Sequence, residues 1–92
     1  MHDRLTRLED ITEALARSPL AKSGGVMLDE LAMDAALVDL LFEKKATLGV
    51  EKDACPDKSV NSAAYNELLM SVAEVIAEIR GFEFKYGIQL IA

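Results

Sequence analysis

Residues 79–92 read Ile79-Arg80-Gly81-Phe82-Glu83-Phe84-Lys85-Tyr86-Gly87-Ile88-Gln89-Leu90-Ile91-Ala92, and how they are read decides the fold class. From Phe82 to Leu90 apolar and polar residues alternate, which is the period of a half-buried strand. Yet Phe82 and Tyr86 also continue the apolar stripe of the preceding segment, where Leu68, Val72, Val75 and Ile79 follow a four-three-four spacing. A strand here lacks a partner. The only other strand-like piece, Gly24-Gly25-Val26-Met27-Leu28, would form a pair too short to be stable in water. Gly81 costs a helix about 1 kcal/mol, which continued packing of Phe82 and Tyr86 offsets. The expectation is a helix to about Tyr86, stopped at Gly87, with residues 87–92 as a docking tail.

Working outward, the chain divides into one domain, 1–92, with helices expected at about 3–17, 27–48 and 60–86. The fold class is therefore all-α: a three-helix chain with its two long helices as an antiparallel hairpin, dimerising into a helical bundle. Ser59, Asn61 or Ser62 can cap the last helix. Opposite its apolar seam, Glu67, Glu74 and Glu78 share a face with Lys85. That face reads as solvated, and it can also meet a basic surface on another protein.

The middle helix ends, on this reading, at Gly49, with Lys44 and Lys45 complementing the dipole of its last turns. Its wheel has two apolar sides. Leu28, Leu31, Ala35, Val38 and Phe42 form one stripe, and Met33, Leu37, Leu40, Leu41 and Leu48 form another roughly opposite. A helix apolar on two sides needs two partners, and two modest amphipathic helices supply little cover. A homodimer is expected, with an interface drawn from that second stripe together with Leu68, Val72, Val75, Ile79, Phe82 and Tyr86.

The first helix starts at an Asp3 cap and places Leu5, Leu8, Ile11, Thr12, Leu15 and Ala16 on one side. Arg7, Asp10 and Glu13 point away, and Glu13 precedes Arg17 by four residues in the favourable order. Ser18-Pro19 stops it. Lys22-Ser23-Gly24-Gly25 lies just before a helix start, where an anion can bind, but it lacks phosphate-loop spacing and is followed at once by Asp29 and Glu30. It reads as a hinge.

Composition narrows the function classes. Ninety-two residues with 51% apolar and 28% charged side chains make a small globular domain rather than a disordered one. A net charge of -6 disfavours direct nucleic-acid binding, which rests on clustered Lys and Arg. One cysteine excludes an internal disulfide. The charged N-terminus is unlike a signal peptide and no apolar run approaches a membrane span, so no membrane association and a cytoplasmic location are expected.

Chemistry-bearing residues are few. His2 is the only histidine and sits at a terminus expected to fray, so a His-based metal cluster or catalytic dyad within one chain would require His2 to be ordered, and it reads as an exposed N-terminal residue. Cys55 lies in a polar loop between Asp53 and Asp57, whose charges work against a reactive thiolate. The glutamate face lacks the Glu-x-x-His pattern of di-iron bundles. Asp39 falls beside Leu28, Ala32 and Ala46, either buried opposite Arg4 or Arg80 or on an exposed seam. No catalytic, cofactor or metal residue is assigned.

Met33-Asp34-Ala35-Ala36-Leu37-Val38-Asp39-Leu40-Leu41-Phe42-Glu43-Lys44 resembles the opening-helix pattern of the small helical chorismate mutases, with Lys44 where they place an arginine. The resemblance implies a dimeric helical enzyme whose intersubunit pocket gathers several cations around a dianionic transition state. It is confined to one helix, and the later lysine that the pattern wants falls in the Cys55 region. The leading reading is a small acidic helical interaction or assembly module acting without catalysis: an adaptor, a regulatory subunit or an inhibitor of a basic partner. The alternative is a dimeric helical-bundle enzyme or ligand binder, and the arrangement of Arg4, Arg7, Arg17, Lys44, Lys45 and Arg80 discriminates between them. In a third reading, residues 82–91 add a strand to a partner's sheet.

Overall fold

Every regular element is helical in the computed structural model, which describes residues 4–92, with side chains from Arg7 onward. The elements are α1 (Arg4–Ala16), α2 (Pro19–Lys22), α3 (Leu28–Ala54) and α4 (Ala63–Tyr86). The described residues contain no strand, so the all-α expectation holds. His2, the Asp3 cap and the side chains of Arg4 and Leu5 lie outside the described residues.

The described residues form four helices rather than the three expected, because Ser18-Pro19 starts one as well as stopping one. Buried Ser18 donates to the Leu15 carbonyl (2.5 Å) and accepts from the Ala21 N–H (3.2 Å), closing α1 and capping the single turn of α2. Pro19 occupies the first turn, where its missing N–H costs nothing.

The middle helix also runs past its expected end. Gly49 ends a helix only by turning left-handed, and here it stays helical, so α3 continues through the helix-forming Glu51-Lys52-Asp53-Ala54. It stops at Cys55, which is held extended (φ -67°, ψ 123°) by the proline that follows. Ser62 caps α4 by accepting from the Tyr65 N–H (3.2 Å). At the other end Gly87 is left-handed (φ +74°), and the N–H groups of Gly87 and Ile88 both donate to the Glu83 carbonyl (2.8 and 3.1 Å). Residues 82–86 are thus the last turn of a helix.

Ile11 and Leu15 of α1, Leu31, Ala35 and Val38 of α3, and Tyr86 of α4 form the core, with Phe42, Phe82, Ile88 and Leu90 packed around it. Leu28, which periodicity grouped with the α3 core residues, is exposed at the first position of the helix. The radius of gyration is 15.4 Å, with extents of 49 × 25 × 20 Å; a compact chain of this length would have a radius of about 12 Å. The cause is visible in the burial pattern. No residue from 40 to 74 is fully buried, because there α3 and α4 have little but each other for cover.

Candidate interaction surface

The second apolar stripe of α3 is open to solvent. Met33, Leu37 and Leu40 are 67%, 47% and 49% exposed, while Leu41 and Leu48 are half-buried. Beside it, between α3 and α4, runs an apolar groove of about 530 Å³. Leu37, Leu40 and Leu41 line one wall, Gly81 and Phe82 the other, and Lys44, Lys85 and Glu78 border it. Gly81 has nothing within 4 Å of where a Cβ would sit, so this turn of α4 leaves the groove wall open.

The α4 residues expected at an interface divide. Val75, Ile79 and Tyr86 are buried inside the chain's own core, whereas Leu68, Val72 and Phe82 are half-buried. Glu67, Glu74 and Glu78 are all exposed.

The groove is held in shape by a charged cluster at one end. Buried Asp34 accepts from the Tyr86 hydroxyl (2.6 Å) and from Lys85 Nζ (2.7 Å), and Lys85 also donates to Glu30 (2.6 Å). Hydrogen bonds to Asp34 and then Glu30 raise the Lys85 ammonium above its ordinary range. Burial first, and then the bond to Asp34, raise the Tyr86 phenol. This network locks the last turn of α4 against the first turns of α3.

Glu83 and Arg80 hold the tail. The Glu83 carboxylate accepts from the Leu90 and Ile91 N–H groups (2.5 and 2.9 Å) and from Arg80 (2.7 Å), while Arg80 also donates to the carbonyls of Ile91 and Ala92 (both 3.0 Å). The Arg80 bond, followed by the two backbone donors, holds the Glu83 carboxyl down at about 2. Leu90 is thereby placed near Ile11, Ala14 and Phe42, around a pocket of about 270 Å³. The tail docks on its own chain. The sequence signal for Glu83 is a carboxylate set between Phe82 and Phe84, a few residues before the tail that it holds.

Asp39 is buried and accepts from Arg7 Nε (2.7 Å), not from Arg80. Arg7, expected to face solvent, turns back to pair with it. The remaining cations scatter: Arg17 pairs with Glu13, and only Lys44 and Lys85 border the groove. Among the described residues, Lys44 alone of the discriminating cations borders the groove and Arg7 alone borders the smaller pocket beside Ile11, and no group of three or more His, Cys, Asp or Glu could hold a metal ion. Cys55 is a free, half-buried thiol donating to the Asp57 carbonyl (3.5 Å). No described helix is long and apolar enough to cross a membrane. Compared with known proteins, the chain matches no family model, no curated protein and no solved structure.

Proposed function

We propose that this chain is a small acidic helical assembly module that acts without catalysis, with α3 and α4 as an antiparallel hairpin and the open stripe of α3 as its homodimer surface. The observation that carries the reading is the exposure of Met33, Leu37 and Leu40 side by side, next to an apolar groove. Contiguous apolar surface of this kind on a small protein marks a docking site. The buried α4 residues Val75, Ile79 and Tyr86 belong to the fold, so the proposed interface reduces to the α3 stripe together with the half-buried Leu68, Val72 and Phe82. The glutamate face stays free in such a dimer to meet a basic partner, as an adaptor, regulatory subunit or inhibitor would.

Sedimentation equilibrium over a wide concentration range, on the wild type and on Leu37→Glu, tests the reading. A wild-type dimer that dissociates in the variant is expected. A wild type that stays monomeric at every concentration would sink it.

A further inference from the structure

The exposed face of α3 has a self-matching pattern. Asp29, Met33, Ala36, Leu37, Leu40 and Lys44 are all exposed and lie along one side of the helix, at steps of four, three, one, three and four. This series is symmetric about the point between Ala36 and Leu37. Its apolar members mirror one another, Met33 with Leu40 and Ala36 with Leu37, while the two ends carry opposite charge.

Resting on the homodimer reading above, we infer that two copies pair through α3 antiparallel about a two-fold axis between Ala36 and Leu37, with Asp29 of each copy facing Lys44 of the other. The charges choose the direction. Asp29 and Lys44 lie about 22 Å apart along the helix, and neither has an ion-pair partner among the described residues. A parallel pairing sets aspartate against aspartate and lysine against lysine, whereas the antiparallel one joins opposite charges at both ends. A two-fold contact must also be self-complementary, and this residue series is. The spacing is the coiled-coil one, so Met33 seats beside the partner's Leu40 in the manner of knobs into holes. Gly81 fits the same picture. It weakens α4 relative to alanine and no atom of its own chain crowds it, so the groove wall stays open where the second α3 comes in.

Cysteine cross-linking in a Cys55→Ser background tests the register. Ala36→Cys, next to the axis, is expected to form a disulfide-linked dimer by itself. Met33→Cys and Leu40→Cys are expected to stay uncoupled when alone and to couple when mixed. Met33→Cys or Leu40→Cys coupling to itself, with Ala36→Cys silent, would overturn the register while leaving the homodimer standing. Sedimentation on the same proteins reads the homodimer separately, and a monomer there overturns both. Charge reversal gives a second reading. Asp29→Lys and Lys44→Glu are each expected to weaken the dimer about tenfold, and mixing the two single variants to restore it. Single variants that dimerise as tightly as wild type would overturn the antiparallel pairing.

Discussion

The two ends of the α3–α4 pair are built from similar residues and end up in different physical states. At one end Asp34, Lys85, Tyr86 and Glu30 tie the helices together, α1 covers Ala35 and Val38, and the tail is strapped down by Glu83 and Arg80. At the other end, residues 40–74 hold comparable numbers of leucines, valines and methionines but no fully buried residue. Val50, Val60 and Met70 are exposed there. What separates the two ends is cover. Apolar side chains contribute to stability only when something removes them from water, and at the open end one chain supplies two helices where the closed end has additional layers. The closed end holds the fold, and the open end with the adjoining α3 stripe stays exposed to solvent.

Matched truncations break this comparison most directly. Leu15→Ala, at a fully buried site, is expected to cost about 3 kcal/mol in urea unfolding. Leu48→Ala, half-buried in the arm that residues 40–74 form at the open end, is expected to cost about 1 kcal/mol or less in a dilute monomer. Equal losses would mean that the arm is already covered within one chain. Next in size is Tyr86→Phe, which removes one of the two donors held by buried Asp34 while Lys85 remains. A loss of about 1–2 kcal/mol in thermal or urea unfolding is expected, and no loss would mean that the Asp34 network does not lock the closed end.

These contrasts also mark what the sequence made legible. Helical class followed from the spacing of Leu68 through Tyr86 and from the want of a strand partner, both local properties. The two-sided wheel of α3 was equally visible, since it needs only the 3.6-residue period. What stayed hidden depends on contacts distant in sequence. The partners of Glu83 and Asp39 could not be read locally because they come from chain reversal and from another helix: the Leu90 and Ile91 amides in one case, Arg7 in the other. Two boundary signals were ambiguous for local reasons. Ser-Pro serves a helix end and a helix start alike, and a glycine inside a helix stops it only if the backbone turns left-handed. Gly87 does so and Gly49 does not.

The tail strap gives a pH test confined to the closed end. Glu83 has a folded value of about 2 against an ordinary 4.5. A depressed carboxyl contributes stability that is fully present above the ordinary value and is lost as pH falls toward the folded one. Amide exchange at Leu90 and Ile91 should therefore stay protected above about pH 4.5 and speed up, beyond the intrinsic pH trend, as pH drops toward about 2. Glu83→Gln keeps the shape but removes the titrating group, so the excess acid sensitivity should vanish. If it persists in that variant, another carboxylate governs the strap.

The smallest effect belongs to the arm. Gly49 is helical, and nothing lies within 4 Å of where its Cβ would be. Gly49→Ala should stabilise the chain by about 0.5–1 kcal/mol, because alanine loses less backbone freedom on entering a helix and meets no neighbour there. Urea midpoints of the dilute protein measure it. Since the gain comes from the helix backbone alone, it should be independent of protein concentration, whereas the Leu37→Glu effect should depend on it. If Gly49→Ala destabilised the protein instead, and did so only at concentrations where copies associate, then the open end would approach its neighbour through Gly49, and the interface would extend beyond the Met33–Lys44 stripe.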